Sequence, residues 1–302
     1  MVTALALVSC FLWGTAVPVI KFGYGILCID VADSASQILF AGIRFTVAGL
    51  LVLLFGRLSA DGRNGIKFDS TMVKPVIVLS IFQTIGQYVF FYIAAAHVSG
   101  VKGTIITGMG SFFTILVACL AFRQERLTFN KTLGCILGMS GVILINILGN
   151  EVDLGFHLLG EGFYTIAALS CALSAVFISI FSKKHNPVAL SGYQFTLGGI
   201  VMAIGGLAFG GRITFTGLAG PLILLYLAMV SAVAYTLWSV LLKYNPVSKV
   251  AIFGFTTPIF GSILSAFILN EADHLYGFGT LLSLALVCIG IMIVNRPGKN
   301  NQ

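Results

Sequence analysis

Apolar residues run through this chain in blocks of about twenty, broken by short polar turns. Ten such runs can be marked, at 2–23, 35–56, 73–96, 102–122, 131–149, 161–182, 188–210, 219–242, 249–270 and 274–295. Each is long enough, or nearly so, to cross the roughly 30 Å hydrocarbon core of a bilayer as a helix. The one long polar interruption is 57–72. The other connections are short, which makes neighbouring helices antiparallel. The run 250–270 carries no charge and is closed by Lys249 and Glu271. Its length as a helix is about 31 Å. Pro258 breaks it in the middle, behind Thr256 and Thr257. In a membrane bundle the carbonyl freed by a proline can be met by such threonines or by a neighbour, and broken helices of this kind line cavities.

The pattern repeats. A shift of 146 carries Gly108 onto Gly254 and Ser99-Gly100-Val101 onto Asn245-Pro246-Val247, with Phe112 in place of Pro258. Arg44-Phe45-Thr46 with Gly49 echoes Gln194-Phe195-Thr196 with Gly199 at a shift of 150. Ser9-Cys10 with Leu12 echoes Ser170-Cys171 with Leu173 at a shift of 161. The echoes keep their order, which is the signature of an internal repeat. The expected fold is therefore all-α and integral to the membrane. It has ten transmembrane helices arranged as two five-helix repeats, residues 1–150 and 151–302. Five is odd, so the second copy enters the membrane inverted relative to the first. An inverted repeat is a device for alternating access to a site near the midplane.

Charge gives the orientation. With the N-terminus in the cytoplasm, the inner segments hold Arg57, Arg63, Lys67, Lys74, Arg123, Arg126, Lys131, Lys183, Lys184, Lys243, Lys249, Arg296 and Lys299. The outer loops hold only Lys102 and Arg212. This is a strong positive-inside bias, and it puts both termini in the cytoplasm of a cell inner (plasma) membrane protein. The acids Asp30, Asp33, Glu151, Asp153, Glu161, Glu271 and Asp273 fall outside.

Composition agrees with a membrane protein. The chain is 58% hydrophobic and 9% charged, with a mean hydropathy of +1.03. A soluble globule does not look like this. The net charge of +7 follows membrane orientation and carries no nucleic-acid motif. The six cysteines are scattered, with no CxxC and no Cys/His ligand spacing, so neither a disulfide frame nor a metal site is indicated. The histidines, His97, His157, His185 and His274, stand far apart near run ends. There is no basic leader and cleavage site, so the first run is expected to stay as a span. No cofactor is indicated.

Several features together resemble a known family. Trp13-Gly14 stands in the first run with Lys21 eight residues later, and Arg44 in the second. The fourth and ninth runs end in an acid. The Gly-spaced fifth and tenth runs close with Asn146 and Asn295. The chain is similar throughout its length to the drug/metabolite transporter superfamily, in its ten-helix EamA-type branch. The resemblance implies a two-repeat carrier of small metabolites, often exporting them. Two departures stand out: Ser174-Ala175 replaces a second Trp-Gly, and Phe112 a second proline. Such motifs specify fold rather than cargo.

Polar residues inside a bilayer are costly and point to function. Arg44, near the centre of its run, has two open readings: it holds an anionic substrate group, or it pairs with helix-end carbonyls and fixes the bundle. Lys21, near the outer end of its run, either snorkels to the interface or acts as a gate. Glu161 opens the sixth run at its outer edge, and no acid falls in the interior of a run. The expected cargo is thus neutral, zwitterionic or anionic, with weak or no direct proton coupling.

Polar stripes recur at helical spacing: Thr104, Thr107, Ser111 and Thr114; Gln83 and Gln87, followed by Tyr88 and Tyr92; Ser231, Tyr235 and Trp238. Single serines and threonines in membrane helices more often serve packing. Glutamine amides need partners, and the tyrosines and Trp238 also suit an interfacial belt. The candidate substrate-binding set is Trp13, Arg44, Gln83, Gln87, Ser111, Tyr235, Trp238 and Thr257, with Lys21 and Pro258 at a gate or interface. Runs one, three, four, six, eight and nine are expected to face the cavity. Gly134, Gly138 and Gly141 predict close packing of the fifth run on the tenth, which has Gly277, Gly279 and Gly290, or a homodimer contact.

The expected partners are a small-molecule substrate and the lipid bilayer, with no nucleic acid, in a monomer or homodimer. The leading function is a secondary carrier, an exporter or exchanger of a small polar metabolite such as an amino acid. A lipid-linked sugar flippase is the alternative, and Arg44 and Lys21 keep it open. An intramembrane enzyme lacks its parts, since there is no GxSxG, no HExxH and no paired intramembrane acids.

Overall fold

The computed structural model describes residues 2–30, 32–58, 66, 68–95, 97, 100–147, 156–215, 217–269 and 278–296. Among the described residues every regular element is a helix. Helix α1 runs Val2–Ile26, α2 Ser34–Leu58 and α3 Ser70–Ala95. Helix α4 runs Gly100–Leu116 and ends in a wide turn, Val117–Ala121; α5 is Phe129–Ile147. Helices α6, Leu158–Phe181, α7, Pro187–Ala208, and α8, Ala219–Tyr244, follow. Helix α9 begins at Val247–Ala251, passes through a 3₁₀ stretch, Ile252–Phe255, and continues as Thr256–Leu269; α10 is Phe278–Asn295. Seven of these stretches are long and apolar enough to cross a membrane: α1, α2, α3, α6, α7, α8 and the first part of α9. Residues 105–121, 129–144 and 281–295 are apolar but shorter. Large apolar side chains such as Leu54, Ile81, Leu120, Ile136, Ile204 and Leu281 point outward, as lipid contact requires.

Local signals set several helix ends. The Asn186 side chain accepts from the Val188 amide at 2.8 Å, and Pro187 supplies the first helical position of α7. Asp33 accepts from the Ser36 hydroxyl at 2.6 Å and amide at 3.0 Å at the start of α2; these bonds hold its carboxyl below the usual range. Pro258 produces the 3₁₀ stretch ahead of it. There the Phe253 carbonyl accepts from the Thr256 hydroxyl at 2.7 Å and from Cys10 Sγ at 3.3 Å.

Glycine decides which helices touch. Lipid tails are as apolar as leucine, so helices associate here through close van der Waals fit. The most extensive contact is α2 on α7, and the next is α5 on α10. A methyl at Gly42 would strike the Ala203 backbone and come within 2.9 Å of the Gly199 carbonyl. A methyl at Gly49 would strike Thr196 and come within 2.7 Å of the Gly192 carbonyl. In the second pair, a methyl at Gly134 would come within 2.7 Å of the Gly290 carbonyl, and one at Gly141 within 2.7 Å of the Ser283 carbonyl. The Gly134/Gly138/Gly141 spacing therefore packs α5 on α10, with Gly290 as the tenth helix's contribution. Helix α1 lies against α8 and α9, and α6 lies against α3 and α4.

One polar tie joins the end of α4 to the start of α9. Glu125 pairs with Lys131 at 2.8 Å and accepts from the Ser248 amide at 3.1 Å and from the Ser248 hydroxyl. It thereby caps α9 with a carboxylate, which the helix dipole favours. Burial alone would raise its pKa. The Lys131 and Ser248 donors outweigh that and hold the carboxyl below its usual 4.5.

Two expectations need comment. Glu161 does not lie in an outer loop. Helix α6 starts at Leu158, so Glu161 sits in its first turn, within a candidate span, buried and accepting from the His157 amide at 2.8 Å. The early start follows from the apolar pair Leu158-Leu159, which extends the run toward the N-terminus. Arg63, Lys67, Glu151, Asp153, Glu271, Asp273, His274, Gly277 and Lys299 lie outside the described residues, as do the side chains of Lys102, Thr104 and Asn146.

A methyl at Gly199 would collide with the Thr46 amide and with the Thr46 hydroxyl at 2.7 Å, whereas nothing lies within 4 Å of one at Gly205. Gly199→Ala is expected to destabilise by about 1–3 kcal/mol. Gly205→Ala is expected to be neutral or to gain up to about 1 kcal/mol from helix propensity. Thermal melts of the purified protein in detergent check both. Glu125→Gln is expected to cost about 1–2 kcal/mol at pH 7. A depressed carboxylate pKa contributes stability above its ordinary value and loses it as pH falls through the folded value. The gap between parent and variant should therefore close as pH falls below 4.5.

Candidate substrate site

The interior polar residues fall into three groups. The first is centred on Arg44, which is 2% exposed in the middle of α2. Its Nε donates to Ser231 Oγ at 3.0 Å and to the Leu227 carbonyl at 3.2 Å, both on α8. Ser231 in turn donates to the same carbonyl at 3.0 Å. The guanidinium lies 5.2 Å from the centroid of the Phe45 ring. The hydroxyl of Tyr92 lies beside the guanidinium and beside Tyr24. None of the described carboxylates pairs with Arg44. Its Nε thus ties α2 to a serine and a carbonyl within α8, while the positive charge remains in the interior.

The second group ties α3 to α7. A wide turn at Ser80–Gly86 interrupts the α-helical spacing of α3 and turns Gln83 and Thr84 toward α7. Gln194 donates to Gln83 Oε1 at 2.8 Å and accepts from Thr84 Oγ1 at 2.7 Å. Ser80 donates to the Gln194 carbonyl at 3.0 Å. Gln83, 3% exposed, is therefore committed to a helix–helix bond. Ser111 packs its hydroxyl against Gly254 of α9. Lys21 is exposed, away from the interior cluster. Pro258 is buried, with its ring facing Gly108 on α4.

The third group is aromatic. Trp13 of α1 stands 4.9 Å from Tyr235 and 5.0 Å from Trp238, ring centre to ring centre. Tyr235 is 5.1 Å from Phe195, which stacks on Phe45 at 5.3 Å. Phe45 lies 4.5 Å from Tyr88. Tyr88 and Tyr235 share a hydrogen bond of 2.5 Å between their hydroxyls. Five helices, α1, α2, α3, α7 and α8, meet in this cluster. The sequence reading placed α1, α3 and α8 at the cavity but left out α2 and α7, which enter through Phe45 and Phe195.

Several buried polar atoms have no hydrogen-bond partner: Trp13 Nε1, Gln87 Oε1, Thr257 Oγ1, Thr236 Oγ1, Tyr24 OH and Tyr92 OH. Each such atom costs about 1–3 kcal/mol if left unmet, which makes these atoms candidates for contact with a ligand or water. Trp13, Gln87, Tyr88 and Thr257 also keep some accessible surface. Of the expected site residues, Trp13, Tyr235 and Trp238 come together. Gln87 and Thr257 offer open bonding groups. Gln83 and Ser111 serve contacts between helices.

Comparison with known proteins follows this geometry. The model of the EamA-like transporter family matches residues 1–147 and 158–296. The chain belongs to the EamA-like transporter family. Among its relatives is an uncharacterized transporter of Archaeoglobus fulgidus, 24% identical over 97% of each chain. A chloroplastic WAT1-related protein of Arabidopsis thaliana is 25% identical over 96% of this chain and 68% of its own. A solved crystal structure superposes over 97% of this chain and 96% of its own with a TM-score of 0.77 at 15% identity, a likeness of fold. EamA-like membership makes the chain a multi-pass membrane protein of a transporter family.

Lysine cannot reproduce the Arg44 Nε bonds, because its ammonium sits at the end of a flexible stem. Arg44→Lys is expected to cost about 1.5–3 kcal/mol. Folded yield and thermal melting in detergent measure it.

Proposed function

We propose that this EamA-like protein is a secondary carrier, an exporter or exchanger, of a small polar metabolite such as an amino acid, working by alternating access. Ten spans form two inverted five-helix repeats, residues 1–150 and 151–302, with both termini in the cytoplasm of a cell inner membrane.

The reciprocity of the interior contacts carries this reading. A shift of 150 takes Gly42 onto Gly192 and Gly49 onto Gly199, so the Gly42–Gly199 contact becomes the Gly192–Gly49 contact. The hydroxyls follow the same rule: Thr46 donates to Gly42 at 2.8 Å and Thr196 to Gly192 at 2.9 Å. A shift of 149 takes the Gly134–Gly290 contact onto Ser283–Gly141. A shift of 147 takes Tyr88 onto Tyr235. Arg44 reaching Leu227 and Ser231 corresponds to Gln194 meeting Ser80 and Thr84. Contacts that map onto themselves when the halves are exchanged are what a twofold-related pair produces. Two packings of similar energy, related by that exchange, are what alternating access needs. The two-block family match has the same division.

Counterflow in proteoliposomes tests the reading, with labelled amino acids, nucleosides and organic acids, with and without a pH gradient. Exchange of a labelled amino acid is expected, and no exchange with any of these cargoes would sink the proposal. Gln87→Ala should cut exchange several-fold without lowering folded yield. Running Glu161→Gln beside it shows whether the buried acid of α6 moves a proton.

A further inference from the structure

The Tyr88–Tyr235 bond leaves something over. Two phenols sharing one hydrogen bond use one hydroxyl proton and keep the other. None of the described groups accepts that second proton. Trp13 Nε1, a donor only, is also without an acceptor, and its ring lies against Tyr235. The Arg44 charge stands behind the Phe45 ring, which touches Tyr88. No described carboxylate pairs with that charge. Trp13, Tyr88 and Tyr235 thus hold unspent donors beside a positive charge. A ligand group that answers them accepts hydrogen bonds and carries negative charge. A carboxylate fits these terms, while an ammonium or a hydroxyl does not.

We propose that Tyr88 and Tyr235, together with the Trp13 indole N–H, bind the carboxylate of the transported molecule. The two hydroxyls give up their mutual bond, and each donates to a carboxylate oxygen. Arg44, whose Nε is held by Ser231 and Leu227, adds its positive potential to the site. The assignment rests on the carrier reading above and names the recognised class, organic acids and amino acids. Tyr88 becomes a residue that sets specificity. Since the pair joins the two halves, recognition and the opening of the contact between halves become one event.

The chain contains two tryptophans, and both Trp13 and Trp238 stand in this cluster. Intrinsic fluorescence of the purified full-length protein therefore reports the site without transport. Excited at 295 nm, the protein is titrated with a fixed panel. It comprises the non-aromatic protein amino acids, the straight-chain acids from acetate to hexanoate, succinate, and the amide and the amine corresponding to each acid. The expected result is a saturable change with acids and none with their amides or amines. Tyr88→Phe and Tyr235→Phe should each weaken it at least tenfold, and the double variant should be no worse than the weaker single one. Tyr226→Phe, which removes a hydroxyl bonded to Thr15 elsewhere on α8, should leave it unchanged. Phenylalanine keeps the ring packing, and thermal melts confirm that the variants fold. An equal response to amides or amines, unchanged binding by the two variants, or no response to any acid overturns the proposal. Counterflow of a nucleoside with no fluorescence response to acids would remove the carboxylate site and leave the carrier reading standing. Acid binding without counterflow of any cargo would do the reverse.

Discussion

Close approach of helix backbones is the constraint on which this structure depends. In lipid there is no hydrophobic drive to press one apolar helix against another, so association rests on fit and on a few polar ties. Glycine at 42, 49, 192 and 199 lets α2 and α7 approach until carbonyls on each face the other's backbone. Gly134, Gly141 and Gly290 do the same for α5 and α10. These pairs couple the two halves of the chain, and the remaining helices are arranged around them. A single added methyl at most of these positions would have to move a backbone, which a packed bundle resists.

The interior that results is more polar than lipid would tolerate, and the protein manages this in two ways. Much of it is neutralised locally. Thr46, Thr107, Thr114, Thr165 and Thr196 each return a hydroxyl to a carbonyl four residues earlier in the same helix. Arg44, Gln83, Thr84 and Gln194 are tied across helices. Of the atoms that remain open, Trp13 Nε1 belongs to the aromatic cluster and the Tyr92 ring lies 6.1 Å from that of Tyr88.

Much of the candidate site was written in the chain but not where single residues would show it. Trp13, Tyr235 and Trp238 stood out by type and spacing, and they do meet. Gln83 stood out for the same reason, yet its amide joins Gln194, because a wide turn in α3 re-aims it. That turn has no sequence signal of its own. Phe45 and Phe195 were visible as an echo, but phenylalanine in an apolar run is indistinguishable from lipid-facing filler. Their stacking and the Tyr88–Tyr235 bond join residues about 150 positions apart, which no local pattern shows. Ser111 stood out in its stripe, and its hydroxyl lies against Gly254, a neighbour that the spacing within one run does not reveal.

Sequence alone determined that this chain is helical, membrane-embedded and a member of the EamA-like transporters. Those properties follow from the length and spacing of apolar runs and from positions where only glycine fits, and both are local. Tertiary structure decided which polar groups are spent on other helices and which stay open. It also decided that Glu161 lies within a span and that two tyrosines 147 residues apart share one bond. Such facts depend on where a helix face turns after packing, and a shift of one turn in a helix start or a widened turn changes that face without changing the hydrophobic pattern.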